Sequence, residues 1–285
     1  MELRSPIRLY WDITPLPDHL PDYDRICSEI AASRALTLHV TALEESLAAA
    51  ADLIRLLCGA PLALSLTVSP AAINSALPLL ERGVKKLFID VPSAEAIRSL
   101  SRAGITGISF RVSSANHAEL PDVIAACTEE GFAELQLPME RLAAGESPLC
   151  LTREGWACLA ARVAQAAFPG RLQITANDPF LWRVVNPGVP FPDGVCQAAN
   201  TMLAIDPAGN VYPCPAMPIL LGNLQTASFR EIVLSALKIE VRAKILEQPS
   251  GCTECPMLDD CRGGCRGRGL YSHGSWEKPD PGCGM

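Results

Sequence analysis

Seven of the chain's twelve cysteines fall after residue 195, as Cys196, Cys214, Cys252, Cys255, Cys261, Cys265 and Cys283. Four of these thiols crowd into residues 252–265, "CTECPMLDDCRGGC", which reads as a binding module. Thiolates at Cys-x₂-Cys spacing hold zinc or iron–sulfur clusters, and thiols in an oxidising compartment pair as disulfides. Cys252 and Cys255 alone do not decide among the three. The other five, Cys27, Cys58, Cys127, Cys150 and Cys158, are scattered through segments that read mostly as helix, where a cysteine is a small buried hydrophobe.

Composition narrows the choice. The 285 residues are 49% hydrophobic, enough for one large domain with a sizeable core plus a smaller module. The opening "MELRSPIRLYWD" carries charges where a secretory signal needs an apolar stretch, so a reducing cytoplasm is expected, where clustered cysteines usually mean metal. No apolar run approaches the roughly 20 residues of a spanning helix, and membrane insertion is not expected. A formal charge of −7 without a basic stripe also argues against a nucleic-acid partner.

The elements that must position these thiols follow a repeat. "IRLYWDI", "LTLHV", "PLALSLTV", "KKLFIDV", "GISFRVS" and "AELQLP" read as strands, and amphipathic segments such as "EESLAAAADLIRLL" and "ELPDVIAACTEEG" separate them. Parallel strands with helical crossovers form an α/β fold. Six βα units fit, with "RLQITA" as a possible extra strand, so a partial (β/α)₆ barrel is expected, with a doubly wound sheet as its rival. No Gly-x-Gly-x-x-Gly follows the first strand, which lowers that rival.

The barrel should occupy residues 1–185 and the cysteine-rich module residues 186–285. The linker between them is "VVNPGVPFPDGVC". Next, "MLAIDPAGNVYPCP" reads as two strands around a turn, and "SFREIVLSALKIEVRAKILEQ" as a helix capped by Ser228 and Glu231. The residues after it are rich in Cys, Gly and Pro and have little means of building a core. Something other than apolar burial must hold them.

The complete spacing is Cys196-x₁₂-Gly209-x₄-Cys214, then Cys252-x₂-Cys255-x₅-Cys261-x₃-Cys265, then Cys283. It resembles the seven-cysteine SPASM pattern at the C-terminus of radical S-adenosylmethionine enzymes that modify ribosomal peptides and sulfatases. The resemblance implies two auxiliary [4Fe–4S] clusters. Cys252, Cys255, Cys261 and Cys283 would hold one completely, and Cys196, Cys214 and Cys265 most of the other. In several relatives a cysteine six positions before the first completes the second set; here Pro190 stands there. One iron would then be open toward the linker, or filled by Asp193 or His273. A four-thiolate cluster is dianionic, and Arg262, Arg266 and Arg268 are placed to offset it, while Gly263 and Gly264 let backbone N–H groups approach the sulfurs.

The same resemblance calls for a third cluster on Cys-x₃-Cys-x₂-Cys after the first strand. The lead-in Trp11, Asp12, Ile13, Thr14 is kept, but the three ligand positions fall on Pro17, Pro21 and Asp24. Cys27 lies three residues further on, and one thiol cannot replace three. The Gly-Gly-Glu-Pro-like segment expected after the second strand reads "HVTALEES", where Glu44 and Glu45 suit the first turn of a helix. His19 and His39 are assigned no role.

The chain therefore resembles SPASM proteins with a degenerate radical SAM barrel, of which the GeoRSP type is an example. These accompany a radical SAM/SPASM enzyme and a small PqqD-like peptide-binding protein in peptide maturation. No S-adenosylmethionine is expected to bind, no catalytic residue is assigned, and a non-catalytic subunit is expected, relaying electrons or presenting a precursor peptide. The alternatives are an enzyme that uses an open iron or the barrel mouth, and a zinc-stapled scaffold.

Overall fold

The computed structural model describes residues 6–13, 21–43, 46–139, 148–166, 172–192 and 196–283. Thr14, Pro17, His19, Glu44, Glu45 and Asp193 lie outside them.

Seven parallel strands follow one another in order: β1 Arg8–Asp12, β2 Thr37–Ala42, β3 Ala63–Val68, β4 Val84–Asp90, β5 Gly107–Ser109, β6 Glu134–Leu137 and β7 Gln173–Ala176. The order never reverses, as a doubly wound sheet would require. "RLQITA" is a full member of the sheet, so there is one more parallel strand than the six units expected. The helices between them are α1 Tyr23–Ala32, α2 Leu47–Leu57, the short α3 Ile73–Ala76, α4 Ala94–Arg98, α5 Leu120–Glu129 and α6 Arg153–Gln165. The helix α7 Pro179–Val185 follows β7 directly, capped by Asp178.

Side-chain alternation explains the curl of the sheet. Trp11, Val40, Leu66 and Leu87 are register partners on neighbouring strands, and all are fully excluded from solvent on one face. Burial of each such side chain contributes roughly 1.5–3 kcal/mol. The opposite face carries Arg8, Tyr10, His39, Thr67, Asp90, Gln136 and Thr175, and all of these line one cavity of about 330 Å³. A sheet whose strands surround one cavity is a rolled one.

The roll does not close on itself. The outer edge of β1 is taken by β8 Met202–Ile205, in parallel, and β8 continues antiparallel into β9 Asn210–Tyr212 and β10 Gly222–Asn223. The expected hairpin is thus present, and it extends the sheet across the 185/186 boundary to ten strands, with β7 and β10 at its ends. Trp11 Nε1 donates to the Asp206 carbonyl (3.2 Å), and Arg25 Nε of α1 to the Leu224 carbonyl (2.9 Å), locking the two parts together.

Two local expectations need correction. The helix expected over 228–248 is two, α8 Phe229–Val233 and α9 Ala236–Leu246. Ser228 and Glu231 do form the capping box, but Ser235 caps a second start by accepting from Lys238 N (3.1 Å). Of the scattered cysteines, Cys27 and Cys127 are buried as expected, whereas Cys58, Cys150 and Cys158 are exposed. Cys158 lies on the broad outer face of α6, where only Leu159 and Val163 are buried.

Candidate iron–sulfur site

Beyond α9 the chain makes α10 Leu258–Cys261 and α11 Arg266–His273 and ends in a turn through Cys283. After residue 248, among the described residues, Pro249 and Cys252 are the buried apolar side chains, and Leu270, Tyr271 and Trp276 pack half-buried against the core.

The seven thiols sort into two neighbouring groups. Cys196, Cys214 and Cys265 line one cavity of about 110 Å³, and Cys252, Cys255, Cys261 and Cys283 line a smaller one, with Cys261 reaching both. Mutual electrostatics gives the same division. Burial holds the Cys214 thiol well above its ordinary range, and Cys196 and Cys265 add to the rise. Burial likewise raises Cys252, reinforced by Cys283 and Cys255. Cys265 is pushed up to about 12, chiefly by burial. At neutral pH these groups are thiols, so binding a metal centre must release protons.

Backbone donors point at the sulfurs. Ala198 and Arg266 N–H groups approach Cys196, those of Ala216 and Met217 approach Cys214, and those of Gly263 and Gly264 approach Cys261. Arg268 N donates to Cys265 Sγ at 3.4 Å. The arrangement around Cys261 is the one expected for the glycine pair.

Two buried guanidinium N–H groups test whether an iron–sulfur centre fits. Arg266 Nε and Arg183 Nη2 have no hydrogen-bond partner among the described residues. Arg266 lies beside Cys196 and Cys252, and Arg183 of α7 beside Cys261. An unsatisfied buried donor costs about 1–3 kcal/mol, and cluster sulfur is an acceptor that would relieve it. A zinc ion would draw its sulfurs to about 2.3 Å from one point. Among the described residues no three Cys, His, Asp or Glu side chains converge in a way that suits a single ion.

The arginine expectations hold only in part. Arg266 is buried at the thiols. Arg262 is exposed in a left-handed conformation at the end of α10, and Arg268 spends its charge on Asp178 and Asp280. Arg242, Arg183 and Asp280 were not singled out from the sequence. Arg242 donates to the Cys196 carbonyl (2.6 Å) from the buried side of α9, which it shares with Lys238, Val241 and Ile245.

His273 is exposed at the end of α11 and lines neither cavity, so it is not a candidate fourth ligand. No carboxylate or imidazole is among the described residues lining the Cys196 cavity. Phe191 and Pro192 of the linker do line it, as expected. So do Arg8, Met139, Thr175 and Asn177, which also line the barrel cavity, so the two cavities share a wall.

The barrel cavity has a mixed lining that includes several polar side chains. His39, its pKa pushed down to about 4 by burial, shares a 2.9 Å hydrogen bond with Thr67 and stands between Tyr10 and Phe88. Asp90, raised by burial against the pull of Arg111, accepts from Ser109 Oγ (3.1 Å). This lining was missed in the sequence. The period-two alternation of "RLYWD" and "TLHVT" was its signal.

Comparison with known proteins converges on the same region. Residues 196–256 match the SPASM family, an iron–sulfur cluster-binding domain. This region is similar to the SPASM domain. The match includes Cys196, Cys214, Cys252 and Cys255; Cys261, Cys265 and Cys283 lie beyond it.

Similar curated proteins are the mycofactocin maturase MftC of Mycolicibacterium smegmatis, 28% identical over 34% of this chain, and that of Mycobacterium tuberculosis, 33% identical over 31%. The matches cover about a quarter of those proteins, 26% and 24% of their lengths. Among solved structures, SuiB of Streptococcus suis superposes with a TM-score of 0.68 at 14% identity, covering 100% of this chain and 78% of that one. The structure of anSMEcpe with bound AdoMet and a peptide gives 0.67 at 14% identity, covering 98% and 94%. The chain thus shares the α/β fold of SuiB and anSMEcpe, and the region similar to the SPASM family lies toward its C-terminal end. No helix among the described residues is long and apolar enough to cross a membrane.

Proposed function

We propose that this chain is a non-catalytic iron–sulfur subunit that works beside a radical SAM/SPASM enzyme in ribosomal peptide maturation. The observation that carries the proposal is the grouping of seven thiols around two adjoining cavities, one sharing a wall with the barrel, in a chain whose Pro17, Pro21 and Asp24 cannot hold a cluster. Cys252, Cys255, Cys261 and Cys283 would hold one [4Fe–4S] cluster, and Cys196, Cys214 and Cys265 would hold the other with one iron open. Bound clusters would supply one-electron redox chemistry.

The chain's own residues position and shield those centres. Arg242 fixes the Cys196 loop, and Arg8 and Asn177 form the partition through which a substrate segment in the barrel would face the first site. The proposed substrate is a precursor peptide, a class in keeping with the peptide bound in the anSMEcpe structure, and its proposed carrier is a PqqD-like protein.

The test is affinity isolation of the tagged chain from its native host under anaerobic conditions, with mass spectrometry of what accompanies it. A stoichiometric radical SAM/SPASM protein is expected. A chain recovered only as a free monomer would remove the subunit reading. The buried His39 and Asp90 in the barrel cavity favour a second reading, in which the chain itself acts on a small ligand bound beside them.

A further inference from the structure

Deep between the two thiol groups lies a buried ion triad. Arg268 is 4% exposed and Asp280 2%. Arg268 Nε donates to Asp280 Oδ1 and its Nη2 to Asp280 Oδ2, both at 2.7 Å, in a two-pronged pair. The remaining amino group, Nη1, donates to Asp178 Oδ2 at 2.6 Å. All three prongs are occupied.

Each carboxylate has a second task. Asp178 Oδ1 accepts from Phe180 N (2.8 Å) and Leu181 N (3.0 Å), capping α7 one residue after Asn177, which lines both cavities. Asp280 Oδ2 accepts from the backbone N of Cys265 at 2.7 Å, and Oδ1 from Gly282 N at 2.9 Å, while its carbonyl accepts from Cys283 N at 3.0 Å. One carboxylate therefore fixes the main chain at Cys265 of the first group and at Gly282, the residue before Cys283 of the second. Two glycines make room for it: a Cβ on Gly264 would lie 2.6 Å from Asp280 Oδ2, and one on Gly282 2.8 Å from the Arg268 guanidinium.

We infer that Asp280, held by Arg268 against Asp178, is a positioning residue through which the two thiol-lined sites keep or lose their metal centres together. The inference rests on the iron–sulfur reading above. A group that leaves the first site frees the Cys265 loop, and the carboxylate that braces Cys265 also braces Gly282, next to Cys283. Loss at one site loosens the other. Asp178 carries the same restraint to the barrel wall at Asn177.

The experiment strips the anaerobically isolated full chain slowly with bathophenanthroline, a ferrous chelator, and counts clusters per molecule by native mass spectrometry. Two equal sites coupled tenfold leave about a quarter of molecules with one cluster at half-loss, against about half for uncoupled sites. The parent should show the lower fraction. Asp280→Asn, which cannot sustain the ionic pair, should raise it toward the uncoupled value, and Arg268→Lys should not behave as the parent because lysine lacks the fork.

Asp178→Asn is the safeguard against misfolding, since asparagine still caps α7. It should raise the one-cluster fraction in part with little loss of total iron as isolated. A merely structural role would lower thermal stability and total iron but leave the one-cluster fraction at matched loss unchanged. Equal fractions in the parent, Asp280→Asn and Asp178→Asn would overturn the coupling. A chain isolated with no cluster would overturn the iron–sulfur reading itself.

Discussion

Pure protein incubated with S-adenosylmethionine and a strong reductant will form no 5′-deoxyadenosine above a cluster-free control. Reductive cleavage needs a cluster held by three thiolates after the first strand, and the corresponding positions carry Pro17, Pro21 and Asp24. Asp24 stands exposed in the first turn of α1. Cys27, the nearest thiol, faces the opposite way: it is 3% exposed in the core, and burial pushes its pKa up to about 12. The expected effect is complete loss of the reaction, not attenuation. Deoxyadenosine formed at rates well above the control would mean that thiols elsewhere do this work and that the subunit reading is wrong.

Replacing Cys255 by Ala should remove at least about half of the iron that the protein carries, since one of two four-iron sites loses a ligand. The stability effect should be local and large. Among the described residues after 248 only the side chains of Pro249 and Cys252 are buried and apolar, a few others pack half-buried, and the segment's helices are four and eight residues long. Such helices are marginal without tertiary support. Where a metal centre stands in for a core, its binding free energy is folding free energy, on the order of 10 kcal/mol for structural metal sites. Limited proteolysis should therefore cut the variant within 249–283 while leaving the barrel intact. Cys58→Ala, which alters an exposed barrel thiol, should change neither iron content nor cleavage pattern.

The fold was legible where local pattern and tertiary structure agree. Apolar strands at regular spacing gave the parallel sheet, and the Ser228–Glu231 box gave a helix start. The break at Ser235 was not legible, because a serine inside an amphipathic run reads as a tolerated residue until its backbone turns and it caps the next helix.

Cysteine spacing revealed the grouping of thiols because ligands to one centre cluster in sequence as in space. The triad of Asp178, Arg268 and Asp280 spans 102 positions between its ends, and nothing in the neighbourhood of Asp178 hints at a partner in the last turn. Charged residues read as surface unless their partner is known. Arg262, read alongside Arg268, is in fact surface. The polar barrel face could have been read, since it needed only the parity of residues along each strand.

Iron and acid-labile sulfide, determined on the full chain isolated without oxygen together with its visible absorption, test the central claim most directly. A brown protein with about eight iron and eight sulfide per chain is expected, with zinc absent. A colourless protein holding about one zinc for every four thiolates, or one with all seven C-terminal thiols free to react with a thiol reagent, would contradict it.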